Sequence, residues 1–510
     1  MDMTIKQLLG QKLVFGFHGG ELSEEFIRLI KEYKIGNVIL FLRNVKSADQ
    51  LRRLCGQIQE LIQAETGYPA FIIIDQEGGM VTRLPQDAVN VPGAMALAAT
   101  GDPENARRAS QITIRQLRGL GPNFNMAPVL DVNNNPQNPV IGVRSFGDKP
   151  ETVAAFGAAA AQPYEGSGIL CCGKHFPGHG DTAVDSHLGL PLVDKTLEEM
   201  EALELIPFRR ASDAGIPAIM ISHVVFPQLE PEGIPCTMSR KVITGLLKEK
   251  MGYQGLILTD CMEMLAIQNH YGTPEGTVAA IKAGVDLAEI SSTIALEWGA
   301  AKAVNEAAER GELDMEEIKA SVEKILRYKA QIRLDLDIEH CNLEEDRLAA
   351  QAMTRQAITC CGGTAPLADG KTFFCGCADY RASGAANESG SARTFVEHMC
   401  QAFDAPGMVT SHTPEAAEIE EAARRAAQQE QIILCTCNAH LFQGQLALAK
   451  ALADTGKPMT VVALRNPYDI PLLPDCQCKI AAYDYSIPSL KALEAVFRGG
   501  EMTGVLPVQL

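Results

Sequence analysis

Gly255-Leu256-Ile257-Leu258-Thr259-Asp260 is a short apolar run that ends on a carboxylate. It reads as a strand buried on both faces, because nothing in it alternates between apolar and polar. Upstream, the same form recurs in Val38-Ile39-Leu40-Phe41, Ala70 to Asp75, Met126 to Val132, Ile169 to His175 and Ala218 to Val224, and downstream in Val285 to Ile290. Segments of helical period separate the runs, such as Ser47 to Thr66, Leu197 to Ala214 and Arg240 to Met251. The pattern predicts repeated βα units. Nearly every run finishes on a polar group: Arg43, Asp75, Asp131, Lys174 with His175, His223 and Asp260. In an open doubly wound sheet, a ligand gathers at one switch point. In a closed parallel barrel, all strand C-termini converge on one face, which suits so many polar ends. The expected fold is therefore a TIM-type (β/α)8-like barrel.

The tone of the chain changes after Arg327. The helix expected over Glu316 to Ile332 runs into Leu334-Asp335-Leu336-Asp337, which has no clear period, and a new helix starts at Glu344. We read residues 1–335 as the barrel, 336–345 as a linker and 346–510 as a smaller three-layer α/β sandwich. In the last part the apolar runs Phe373 to Cys377, Gln431 to Cys435, Met459 to Leu464 and Ile480 to Tyr483 alternate with helical segments Pro414 to Gln429, Gly444 to Thr455 and Ile487 to Phe497.

Composition narrows the function classes. Across 510 residues the formal charge is −18 and no basic cluster offsets it, which excludes nucleic acid as an expected partner. No run approaches the roughly 18 apolar residues of a membrane helix, and polar Asp2, Lys6, Gln7, Gln11 and Lys12 do not make a signal peptide. Fifteen cysteines, several at strand spacing (Cys375/Cys377, Cys435/Cys437, Cys476/Cys478), read as buried reduced thiols and point to a cytoplasmic protein.

The stretch Lys174-His175-Phe176-Pro177-Gly178-His179-Gly180-Asp181-Thr182-Ala183-Val184-Asp185-Ser186-His187 holds three of the ten histidines. Such density suggests chemistry, since buried ionisable groups are costly without partners. Asp260 at its strand end could serve as nucleophile, metal ligand, general base or helix cap. Asp185 and His187 could form an acid/base dyad, the carboxylate fixing the imidazole tautomer. By spacing alone, His175, His179, Asp181, Asp185 and His187 also leave a metal site open, with His223 or Asp260 as a further ligand.

Taken together with Asp75-Gln76-Glu77-Gly78-Gly79 and Arg144-Ser145-Phe146-Gly147, the stretch resembles the β-N-acetylhexosaminidase branch of glycoside hydrolase family 3. Leu464-Arg465-Asn466-Pro467-Tyr468-Asp469 and Gly504-Val505-Leu506-Pro507-Val508 are similar to the second domain of its two-domain members. The resemblance implies Asp260 as nucleophile, His187 with Asp185 as acid/base, and Asp75, Arg83, Arg144, Lys174, His175 and His223 as sugar-contacting positions. It implies no metal and no cofactor. The implied reaction is retaining, exo-acting release of terminal β-linked N-acetylglucosamine from a small saccharide, on fragments of peptidoglycan. A phosphorylase sharing the first step, and a sugar-binding protein without turnover, stay open. Met80 departs from the family's usual arginine, and Cys261-Met262-Glu263-Met264 is a variant after the nucleophile.

Overall fold

The computed structural model describes residues 3–183, 189–377 and 394–510; Asp185 and His187 lie outside the described residues. Eight parallel strands form one sheet: β1 Leu13–Phe15, β2 Asn37–Leu40, β3 Phe71–Ile74, β4 Phe124–Asn125, β5 Leu170–Phe176, β6 Ala218–Ile221, β7 Leu256–Thr259 and β8 Ala288–Ile290. They pair in the order β7-β6-β5-β4-β3-β2-β1-β8. A parallel bridge between Leu258 and Leu287 joins the ends, so the sheet curls into a barrel. Parity explains why the strands are largely apolar on both faces. Val14, Ile39, Phe71, Ile73, Leu256, Leu258 and Leu287 pack inside the barrel, while Leu13, Phe15, Val38, Leu40, Ile72, Ile74, Ile257 and Ala288 pack outward with helix residues such as Leu51, Leu54 and Ile58.

Three local expectations shift. The strand expected over Met126 to Val132 lies upstream of that run, at Phe124–Asn125; Pro128 has no N–H to donate, and the run itself holds β5 by a single bridge from Val129 to Lys174. The helix read over Leu197 to Ala214 is two, Leu197–Glu201 and Leu205–Asp213. Strand β1 lies in the N-terminal segment, where three residues show no period.

Helix Met315–Lys329 packs on the barrel, and irregular chain leads to helix Glu344–Ala357. The second sheet contains β9 Thr359–Gly363, β10 Thr372–Cys377, β11 Gly407–Thr410, β12 Gln431–Thr436, β13 Met459–Ala463 and β14 Cys478–Ala481. Their order is β11-β10-β12-β13-β14-β9, parallel except for β9. Phe374, Ile433, Val462 and Ile480 meet Phe395, Leu490 and Phe497 on one face. Phe373, Ile432, Leu434 and Val461 meet Ala422, Leu448 and Leu452 on the other. This is the three-layer sandwich. The tail returns to the barrel, where Val505 N donates to Ala99 O at 2.8 Å. All fifteen cysteines are free thiols. Among the described residues, no helix is long and apolar enough to cross a membrane.

Candidate active site

The strand C-termini deliver their polar residues to one rim of the barrel, as the parity of each strand requires. Lys174 shares the parity of Cys172, which lies inside the barrel, and rises from that interior at the end of β5. Its Nζ donates to Asp75 Oδ1, just past β3, at 2.7 Å, and lies 2.7 Å from Glu77 Oε1. Arg144, on the turn Gly142–Arg144, grips Glu77 with two nitrogens, Nε to Oε2 at 2.9 Å and NH2 to Oε1 at 2.7 Å. Burial pushes the Glu77 carboxyl up, but Arg144 and Lys174 outweigh it and hold the group well below the usual carboxylate range. Burial likewise lowers Lys174, and Asp75 and Glu77 more than reverse that. Both cations are therefore charged and fixed.

His175 sits beside this network. Its Nδ1 donates to Asp131 Oδ2 at 2.6 Å, which leaves Nε2 toward Arg144 NH2, 3.4 Å away. Asp131 is fully buried and also accepts the backbone N–H of His175 at 3.2 Å and of His179 at 2.7 Å. Burial raises the Asp131 carboxyl; His175 and these hydrogen bonds overcome it and keep it low. His179 is lowered to about 4 by burial and by His175, so it is neutral. Asp181 is bound by Lys195 at 2.7 Å.

Asp260 follows β7. Its N–H donates to Ile221 O at 2.9 Å, and its Oδ1 accepts Cys261 N–H at 2.8 Å. The next turn is pinned from both sides: Met262 N donates to Glu289 O at 2.8 Å, and His223 Nε2 donates to Cys261 O at 2.8 Å. His223 is fully buried and its Nδ1 meets Thr237 Oγ1 at 2.9 Å, so it supports the backbone beside Asp260. Glu263 accepts the N–H groups of Ser291 and Thr293, each at 2.9 Å, and so ties this turn to the end of β8. Arg83 is buried with its guanidinium 5.8 Å from the Phe41 ring. Arg43 donates to the carbonyls of Phe17 and Ser291 and closes the loops after β1 and β8.

Thus Asp75, Arg144, Lys174 and His175 form one connected cluster, with Asp260 across the rim. Three members were not singled out as site residues from sequence. Glu77 stood in a quoted motif, but its role depends on two cations 67 and 97 positions away. Asp131 was visible only as a strand end. Glu289, of the same parity as Leu287, points into the barrel; burial, Asp75 and Asp260 push its carboxyl well above the usual range. Its signal was one of two acidic residues, Asp286 and Glu289, inside the otherwise apolar run Val285 to Ile290. Among the described residues, no three His, Cys, Asp or Glu side chains group as metal ligands.

The description "Glycosyl hydrolase family 3 N terminal domain" matches residues 1–328. The chain belongs to glycosyl hydrolase family 3. Beta-hexosaminidase A of Pseudoalteromonas piscicida is 36% identical over 372 residues, 65% of this chain and 62% of that protein. A beta-hexosaminidase of Alkalilimnicola ehrlichii is 36% identical over 286 residues, 55% of this chain and 80% of its own. Among solved structures, a family 3 beta-N-acetylglucosaminidase from Paenibacillus sp. str. FPU-7 superposes with a TM-score of 0.93 at 37% identity, covering 99% of both chains. That likeness extends through the second domain.

Proposed function

We propose that this family 3 member is a retaining, exo-acting β-N-acetylglucosaminidase that hydrolyses terminal β-linked N-acetylglucosamine from peptidoglycan-derived fragments. The reading is carried by Asp260 at the barrel rim across from the Asp75–Lys174–Glu77–Arg144 network, in a chain 37% identical over nearly its whole length to a family 3 beta-N-acetylglucosaminidase. Asp260 attacks the anomeric carbon and forms a glycosyl-aspartate. His187, oriented by Asp185, protonates the departing oxygen and then takes a proton from water. Asp75, Lys174, Arg144 and His175 bind sugar hydroxyls. The fixed cations Lys174 and Arg144 need no rearrangement as the oxocarbenium-like state develops, and a sugar lacking a hydroxyl would forgo its hydrogen bond to this cluster. Arg83 contacts the sugar from the β3 side, and His223 contributes through the Cys261 carbonyl. The chemistry as written uses no metal or cofactor. The free thiols suit a reducing compartment, and we assign the enzyme to the cytoplasm.

The test uses an aryl β-N-acetylglucosaminide and a 2-acetamido fluorosugar trap. We expect release of free N-acetylglucosamine independent of phosphate, and a mass increment on the peptide containing Asp260. Labelling elsewhere refutes the nucleophile assignment. A sugar 1-phosphate product would make the enzyme a phosphorylase instead.

A further inference from the structure

The motif Leu464-Arg465-Asn466-Pro467-Tyr468-Asp469 belongs to the second domain, yet it ends against the loop that carries Arg144. Tyr468 is 5% exposed. Its Oη accepts a hydrogen bond from Asn133 Nδ2 at 2.8 Å and donates to Asn133 O at 3.4 Å. Asn133, fully buried, passes the contact on: its Oδ1 accepts Gly142 N–H at 3.0 Å, and its own N–H donates to Gly147 O at 2.9 Å. Gly142 opens the turn that presents Arg144. It has φ +46°, and a Cβ there would lie 2.4 Å from Asn466 Oδ1, so the second domain presses on the turn from a second direction.

The motif itself is held stiffly. Asp469, fully buried, accepts His440 N–H at 2.9 Å and His440 Nδ1–H at 2.7 Å through one oxygen, and Thr436 Oγ1–H at 2.7 Å through the other. Tyr468 therefore projects from a fixed point just past β13, tied to the end of β12 through Asp469 and Thr436. The loop it touches also supports the histidine-rich segment, since Asn138 Nδ2 donates to His179 O at 2.8 Å and Gly180 O at 3.0 Å.

We propose that Tyr468 of the second domain is a positioning residue for Arg144, acting through Asn133 and the Gly142 turn. The inference rests on the reading of Arg144 as a sugar contact. The hydroxyl fixes where the guanidinium meets the sugar, and a displacement of about 1 Å at such a contact can cost on the order of 100-fold.

The test is steady-state hydrolysis of an aryl β-N-acetylglucosaminide by the full chain, as wild type, Tyr468→Phe, Arg144→Lys and the double variant. Tyr468→Phe should raise KM about 10-fold with kcat within about 3-fold, the signature of lost ground-state sugar binding. In the Arg144→Lys background it should add less than about 2-fold, because both act on one contact. An unchanged KM in Tyr468→Phe, or effects that multiply in the double variant, overturns the proposal. If Arg144→Lys alone leaves KM unchanged, the sugar-contact reading fails instead, whatever Tyr468→Phe does. Asn466→Ala perturbs the same turn from the other side and should reproduce the KM-selective loss should Tyr468→Phe fold poorly; failure to do so counts against the positioning role.

Discussion

The two rims of the barrel carry similar buried ion networks with opposite outcomes. At the C-terminal rim, Lys174 and Arg144 converge on Glu77 and Asp75. At the N-terminal rim, Lys12, Lys248 and Lys324 surround Asp286. In the lower network the polar groups bond to one another and to the backbone: Asp286 Oδ2 accepts Ile257 N–H at 2.9 Å and Lys324 Nζ at 2.7 Å, its Oδ1 accepts Ser321 Oγ at 2.6 Å, and Lys12 Nζ donates to Val285 O at 2.9 Å. The Asp286 side chain is 1% exposed, whereas that of Asp75 is 18% exposed and faces the rim. Charge alone does not make a site. A network whose every group is spent on the fold contributes to closure, and one that keeps an open carboxylate beside fixed cations can bind.

Substitutions at the two rims should separate these roles. Asp260→Ala should lower kcat on the aryl glycoside by about 10⁴-fold or more with the thermal midpoint little changed; near-wild-type turnover would remove the nucleophile assignment. Asp286→Asn should do the reverse. It leaves Lys12, Lys248 and Lys324 without their carboxylate, costs about 3–5 kcal/mol in urea unfolding, and keeps kcat/KM of the folded enzyme within about 2-fold. A large loss of activity without loss of stability would erase the contrast between the rims. Lys174→Met should reduce kcat/KM about 100-fold, read in the same assay, because Asp75 loses the cation that holds it and Glu77 one of its two.

The smallest effect concerns pH. Burial, together with Lys248 and Lys324, lowers Lys12 to about 7 against the pull of Asp286. Between pH 7 and the ordinary lysine value the unfolded chain binds the proton that the folded chain has released, so stability rises with pH there and the cost is complete below pH 7. From pH 8 to pH 9 the gain is about 1 kcal/mol. Lys12→Met should remove that increment from the urea unfolding curve, and an unchanged increment would assign it to another group.

The contrast between rims was only half legible beforehand. Runs such as Leu256 to Thr259 and Ala218 to Ile221 announce themselves because a strand buried on both faces has no polar alternation. Strands β1 and β4, of three and two residues, carry no such pattern. Asp75, Lys174 and Asp260 were visible as polar ends of apolar runs. The partnership of Asp131 with His175 spans 44 positions and that of Lys12 with Ser321 spans 309, so neither can be read locally.

The order of residues determined by itself that parallel strands would alternate with helices, that polar groups would stand at the strand ends, and that a second α/β unit would follow, because burial and period are local properties of a chain. Only the closed barrel decided which carboxylate each cation would meet, and only the docking of the second domain set Tyr468 against Asn133. Those pairings depend on distances across the ring and between domains, which the length of chain separating two residues does not encode.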